Sequence, residues 1–422
     1  MKRIVIVGGG VTGLSAAFFL RARARVTLLE AGPRLGGVVA TERADGFLVE
    51  GGPEGFPAGA GELRALCRRL GLEIATARGS RRYVWCGGRA RRLSWRDGLL
   101  SWKGRFRAAL DLVLPSGPSA GDESVGAYLR RRMGDEVFER VAGPVLSGIY
   151  LASPDDLSLR SVFPGLFRGG GRASRSLLFG WRRVGEQFGP RLTLRFGMYA
   201  LVEGLRSSLG DVEIRLRARV DGIEPSWKVH VSGEILEADA VILALPAPRA
   251  AEAVRRFSPA LAGLLSGLRS VSCATVALGF PRRPPVPATS LFFAPPGGNP
   301  LAALTFPSEK FEGRAPEGCW LVRAFLRGAP PGAARLVREE LRRLFGVLEE
   351  PVLERAYLWP EGRPVHEVGH RDRLREIERL LPPGLHLAGA SYGGVSLEEC
   401  LRDARRAADR AAGAGPGDGG ET

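Results

Sequence analysis

Apolar positions at the start of the chain come in short unbroken runs separated by glycines, and their period then changes along the sequence. Residues 4–7 (IVIV) predict a buried strand, and after a glycine turn residues 14–21 predict an apolar helix. Residues 26–30 predict a second strand, so the chain opens as strand, tight turn, helix, strand. Helical spacing returns at 61–70, where Leu63, Leu66 and Leu70 share a face. Residues 106–140 are amphipathic and helical with a break near 115–121, and 168–175 form a Gly/Arg connector without period. Residues 212–224 and 228–236 predict strands, and 240–245 a buried strand. Proline and glycine make 281–300 a loop or sheet edge. Residues 385–389 predict a last strand entering a glycine turn, 397–412 a helix, and 413–422 a frayed tail.

Composition adds limits. At 422 residues and 45% hydrophobic content, the chain can bury one large core or several smaller ones. No run approaches the roughly 20 apolar residues that span a bilayer, and the opening run is too short for a signal peptide. The five cysteines are dispersed without a CxxC pair, which argues against a disulfide framework or zinc site and makes a reducing cytoplasm the expected location. The four histidines show no metal spacing, so no metal is expected. The net charge of +16 has two readings: attraction toward an anionic partner, or a compositional preference for arginine over lysine, of which there are only four. No basic stretch is interleaved with aromatics, so nucleic acid is not an expected partner.

The first motif is Gly8-Gly9-Gly10-Val11-Thr12-Gly13, which fits GxGxxG between a strand and a helix. Gly8 suits the tight turn, Gly10 a close approach to a diphosphate, and Gly13 the packing of helix on strand. The helix N-terminus offers unpaired N–H groups and partial positive charge to phosphates. Glu30, with Ala31 beside it, ends the next strand where a carboxylate can accept hydrogen bonds from a ribose diol. That much fits FAD or NAD. The glycine pair of Arg34-Leu35-Gly36-Gly37-Val38, with Arg34 near a phosphate, favours FAD. So does the small-residue passage Gly52-Pro53-Glu54-Gly55. At the other end, Gly393-Gly394-Val395-Ser396-Leu397 runs into a helix, whose N-terminus can stabilise negative charge on a reduced flavin.

With both ends in place, the sequence resembles the FAD-dependent porphyrinogen oxidases of haem synthesis, relatives of the flavin amine oxidases. The matching stretches are 7–13, 30–31, 34–37, 46–55, 145–154, 157–160, 163–164, 198–205, 306–311, 314–318, 368–370 and 392–401. The middle stretch VLSGIYLASP (145–154) is the most telling, because amine oxidases and carotenoid desaturases share the dinucleotide motifs. The resemblance implies that Val220 touches the adenine, Trp359 lies near the flavin, and Gly394, Val395, Ser396 and Leu397 close over its ring. It also implies that Arg82 pairs with a substrate propionate, though a surface arginine is an equal reading of that residue. Ser396 and Glu399 depart from the usual glycine and aspartate, Phe196-Gly197 replaces a Gly-Gly pair, and Pro364-Val365-His366 stands for Pro-Gln-Tyr.

The implied reaction is oxidation of coproporphyrinogen III or protoporphyrinogen IX to the porphyrin, with dioxygen reoxidising the flavin to give hydrogen peroxide. The flavin carries that chemistry and no catalytic side chain is expected. His370 is the one histidine worth testing as a proton carrier. The alternatives are a flavin amine oxidase, a carotenoid desaturase, or a protein that binds FAD without turnover. The expected class is α/β (α+β): a Rossmann-like FAD domain from 1–74, 205–252 and 384–415, a mainly β substrate domain from 75–95 and 271–363, and a helical insertion at 96–192. The insertion is expected to include membrane-facing surface, placing a monomer or homodimer in the cytoplasm or at the inner membrane face.

Overall fold

The computed structural model describes residues 1–94, 98–113, 121–168, 172–173, 189–282, 288–294 and 300–413. The tail at 414–422 and most of the 168–175 connector, apart from a short ladder pairing Phe167–Arg168 with Arg172–Ala173, lie outside these.

Five parallel strands form the first sheet, in the order Glu213–Arg215, Arg25–Leu29, Arg3–Val7, Ala240–Leu243, Leu385–Leu387. Both faces are covered, which is why residues 4–7 and 240–243 read as continuous rather than alternating apolar runs. Ile4, Ile6 and Ile242 point into a core with Leu14, Phe18, Ala404 and Ala408 from the helices Val11–Leu20 and Leu397–Ala412. Val5, Val7, Val241 and Leu243 point the other way, onto Ala250, Val254 and Leu261. The N-terminal and C-terminal helices therefore share one face, and the two motif-bearing turns emerge at the same sheet edge.

The second sheet has seven strands, in the order Leu353–Pro364, Ser270–Phe280, Trp320–Arg327, Leu301–Thr305, Ser290–Phe293, Arg82–Cys86, Arg89–Arg92. One face packs Val276, Leu278, Val322 and Ala324 against Val337 and Leu341 of the helix Ala333–Phe345. The opposite face carries Ala277, Leu321 and Leu353 against Phe47 and Val49, so the strand Phe47–Glu50 joins this sheet to the nucleotide unit. A third layer holds Trp102–Ala109, Val125–Met133, Gly143–Tyr150 and Leu159–Val162 around Tyr128, Leu146, Leu157 and Phe163.

These layers match the expected fold class; several element boundaries differ. Residues 228–236 are two strands, Lys228–Val231 and Glu234–Glu237, folded back at Ser232 and Gly233, which both have positive φ. Residues 212–224 are likewise divided, between Glu213–Arg215 and Val220–Glu224, with Arg217 at φ 55°. The proline-rich 281–300 stretch, expected as loop or edge, contains the fully buried strand Ser290–Phe293, which is hydrogen-bonded on both sides. The strand Arg191–Leu194 and the start of the helix Tyr199–Ser207 lie ahead of the 205–252 segment, yet Leu192, Leu194, Met198, Leu201 and Val202 belong to the nucleotide core.

Candidate flavin site

The N-terminal turn is held from within. Gly8 has φ 109° and donates its N–H to Leu29 O at 2.7 Å. A Cβ on Gly13 would lie 1.9 Å from Gly8 O, so the helix rests directly on the strand end. Gly10 is different: its φ of −68° is ordinary, and a Cβ there would meet nothing within 4 Å. Nothing within the chain requires glycine at that point, whereas open space in front of an uncapped helix N-terminus does suit a diphosphate. The helix Val11–Leu20 has no side-chain cap and no acidic residue in its first turn, so no capping side chain competes with such a ligand for its first amides.

Glu30 accepts hydrogen bonds from the N–H groups of Gly9 and Gly32, each at 2.7 Å, one on each oxygen. A carboxylate has lone pairs to spare for a ribose diol after both bonds. Ala218 N–H donates to Glu30 O, which brings Val220 and its strand beside Glu30 and Ala31. Gly36 bridges Gly10 and donates to Gly9 O at 2.8 Å, setting Gly37 and the exposed Val38 alongside the cradle. Arg34 points its guanidinium at the carbonyls of Leu35, Gly37 and Val39 and braces that loop. Gly52 passes so close behind it that a Cβ would lie 1.8 Å from Val38 O.

The carboxyl-terminal turn meets this cradle. A Cβ on Gly389 would stand 3.6 Å from Thr12 Oγ1, and Thr12 hydrogen-bonds the Cys400 thiol. Asp403 accepts the Gly389 N–H at 2.8 Å, fixing the strand-to-helix passage. Gly394 has φ 136°, and Val395 follows it. Ser396 is the N-cap of the helix Leu397–Ala412 in a capping box: its hydroxyl accepts from Glu399 N–H at 3.2 Å, and Glu399 accepts from Ser396 N–H at 3.0 Å. The two departures at 396 and 399 thus form one reciprocal device.

Glu54, expected beside the cofactor, turns its side chain toward the seven-stranded sheet. It pairs with Lys310 and with Arg323 at 3.1 Å, and accepts from Thr305 Oγ1 at 3.3 Å. Burial pushes its pKa up, but Lys310 and Arg323 outweigh that and bring it down to about 2. Arg323 also donates to Gly52 O at 2.6 Å, and Pro53 and Gly55 complete the passage. Trp359 donates to Gly51 O at 3.1 Å and stacks on Tyr357 with planes 6° apart.

Arg82 lies half-buried on Arg82–Cys86, its pKa lowered by burial and by the neighbouring Arg191. Arg191, in turn held down by burial, donates to Gly55 O at 3.3 Å. Arg82, Arg191, Lys310 and Arg323 therefore lead from the sheet toward Glu54, the carboxylate that draws Arg191, Lys310 and Arg323 together. Sequence reading missed Arg191 and Arg323; a lone arginine inside the apolar run WLVRAFL was the available signal for the second. His366 and His370 stack with centroids 4.1 Å apart, and burial followed by the His366 neighbour brings His370 down to about 3. Burial and the His366 neighbour thus favour the neutral imidazole of His370. Among the described residues no His/Cys/Asp/Glu cluster could hold a metal.

A fold that brings a GxGxxG turn, an acidic strand end and a C-terminal helix cap to one sheet edge defines a dinucleotide-binding oxidoreductase. The family model for flavin containing amine oxidoreductase matches residues 11–412, and the chain belongs to that family. Its cofactor is FAD, and the open space at Gly10, the uncapped helix and the spare acceptors of Glu30 fit the ADP half. The coproporphyrinogen III oxidase of Bacillus subtilis (strain 168) is 31% identical, covering 96% of this chain and 97% of that protein. That of Propionibacterium freudenreichii is 34% identical over 96% of this chain and 90% of its own. A crystal structure from Exiguobacterium sp. 255-15, provisionally named protoporphyrinogen oxidase, superposes with a TM-score of 0.85 at 28% identity, covering 97% of this chain and 98% of that one.

Proposed function

We propose that this protein uses FAD to oxidise a porphyrinogen, coproporphyrinogen III or protoporphyrinogen IX, to the porphyrin in haem biosynthesis. The observation that carries this reading is the near-complete coverage of two curated coproporphyrinogen III oxidases at about 30% identity. The chemistry supplied by bound FAD is acceptance of a hydride in each of three two-electron oxidations, with dioxygen as final acceptor and hydrogen peroxide released.

The chain's own residues place the reactants. In this reading the Val11–Gly13 amides, Gly8, Gly9 and Gly10 hold the diphosphate, Glu30 and Ala31 the ribose, and Val220 the adenine. Gly36, Gly37, Val38, Gly52, Pro53 and Gly55 pass along the cofactor, with Arg34 and Glu54 bracing that passage through the bonds described above. Trp359 and Gly394–Leu397 enclose the ring, and the dipole of the C-terminal helix favours negative charge next to it. Arg82, with Arg191 beside it, attracts a propionate, because a guanidinium binds carboxylate in a planar fork.

The test is incubation of the purified yellow protein with each porphyrinogen in air. Porphyrin fluorescence rising with peroxide supports the reading. Turnover of a monoamine with no porphyrin formed moves the protein to the amine-oxidising branch of its family.

A further inference from the structure

We infer that Arg363 is a second carboxylate-binding residue of the substrate cavity, separate from Arg82, and that it sets preference for a porphyrinogen with carboxylates on all sides. This rests on the porphyrinogen reading and deepens it.

Arg363 stands near the end of the strand Leu353–Pro364, opposite Val271 and four residues beyond Trp359. It reaches toward the helix Gly143–Tyr150, where its Nη2 donates to Ile149 O at 2.8 Å. Its Nε is sealed from solvent and has no partner. Among the described residues no carboxylate comes within the 4.0 Å of an ion pair. The fully buried arginines are compensated, Arg132 by Asp111, Arg314 by Glu50 and Arg323 by Glu54, whereas Arg363 is half-buried.

The groups that face Arg363 are all neutral. Tyr150 comes from the insertion helix, Cys273 from the neighbouring strand and Cys400 from the C-terminal helix, and burial raises the pKa of each. His366, two residues on, is held neutral by its own burial. Glu399 acts on Tyr150 and His366, and its Oε2 accepts both the N–H and the hydroxyl of Ser396 at the helix end. A half-buried guanidinium with a sealed, unpartnered Nε and no counter-charge within ion-pair distance favours an incoming anion. The position explains which anion: Arg363 lies where the insertion helix, the strand beyond Trp359 and the segment after Gly394 converge.

Arg82 cannot serve the same carboxylate. Its strand is sixth in the seven-stranded order and that of Arg363 is first, with four strands between them. Protoporphyrinogen IX carries its two propionates side by side at one edge of the macrocycle, so it can engage one of these cations. Coproporphyrinogen III carries four, distributed around the ring, and can engage both. The preference for it therefore arises from a pair of separated cations, and Arg363 is the one that discriminates.

Steady-state kinetics on the holoenzyme test this with Arg363→Gln and Arg363→Lys. Hydrogen bonding to a charged group corresponds to roughly 10- to 100-fold in binding, so Arg363→Gln should raise KM for coproporphyrinogen III by about that factor. The values for protoporphyrinogen IX, the FAD content and the flavin potential should hold, and Arg363→Lys should recover part of the loss. Equal losses on both substrates, an unchanged KM, or a shifted flavin potential without a KM change would each overturn the inference. A binding arm separates this from failure of the functional reading. Coproporphyrin III should perturb the oxidised flavin spectrum of the wild type at lower concentration than its tetramethyl ester, and Arg363→Gln should abolish the difference. If that difference survives the substitution, Arg363 is not the carboxylate site, whether or not the enzyme turns over a porphyrinogen.

Discussion

Glu54 illustrates how single residues set the site's electrostatics. Its carboxylate pairs with Lys310 and Arg323 inside the protein, and these two cations keep it ionised. Because its folded pKa of about 2 lies below the unfolded value near 4.5, the stabilisation is fully present above pH 4.5 and is lost as pH falls through about 2. Lys310→Met should therefore leave the Tm at pH 7 lowered and the acid-unfolding midpoint moved upward, as read by circular dichroism. His370 works in the same sense over a higher window. Its pKa of about 3 lies below the unfolded 6.5, so the unfolded chain takes up the proton first and stability falls as pH drops below 6.5. Acidification from pH 7 to pH 5 should cost about 2 kcal/mol through this residue. Urea titrations should show that slope flattened in His370→Phe. At Gly13 the constraint is steric: Gly13→Ala puts a methyl 1.9 Å from Gly8 O and should yield protein without bound flavin, destabilised by about 1–3 kcal/mol or more. An unchanged flavin content in that variant would contradict the seating of the helix on the strand.

At the scale of elements, legibility in the sequence follows how local the signal is. The helix Leu397–Ala412 is legible to both ends because Ser396 caps it, Gly413 ends it in the left-handed region, and its small apolar residues recur along one face. The glycine cradle is legible because Gly9 and Gly13 answer to contacts near in sequence, Gly9 to Glu30 and Leu35 and Gly13 to Gly8. The strand Ser290–Phe293 is not, since prolines flank it and its pairing partners lie at 82–86 and 301–305. The hairpin 228–237 reads as one strand because only Ser232-Gly233 marks its turn. The basic residues around Glu54 were hidden for the same reason: Arg191, Lys310 and Arg323 meet Glu54 only after three separated segments pack together. The capping box carries its own prediction. Ser396→Ala removes one of two reciprocal bonds and should cost about 1 kcal/mol, seen as a lowered Tm, with Glu399→Gln milder because it keeps an acceptor.

At the scale of the whole molecule, three layers pack together: the five-stranded sheet with its helices, the seven-stranded sheet, and the helices between Trp102 and Val162. The insertion also presents an apolar outer surface. Trp102, Phe106 and Val113 are 74%, 64% and 76% exposed, and Lys103, Arg105 and Arg107 lie among them. No helix among the described residues is long and apolar enough to cross a membrane. A surface of this kind suits insertion into the headgroup region of an anionic bilayer, reinforced by the net charge of +16. Co-sedimentation with anionic vesicles should fall sharply in Trp102→Ala/Phe106→Ala and weaken with salt, while turnover in solution is retained; equal sedimentation of variant and wild type would rule the surface out.

The central claim, that FAD in this cradle takes electrons from a porphyrinogen, is tested most directly without oxygen. Anaerobic mixing of the holoprotein with coproporphyrinogen III or protoporphyrinogen IX should bleach the visible flavin absorption while porphyrin absorption appears, and the yellow colour should return on admitting air. A flavin that stays oxidised with both porphyrinogens, yet bleaches with an amine, would contradict it.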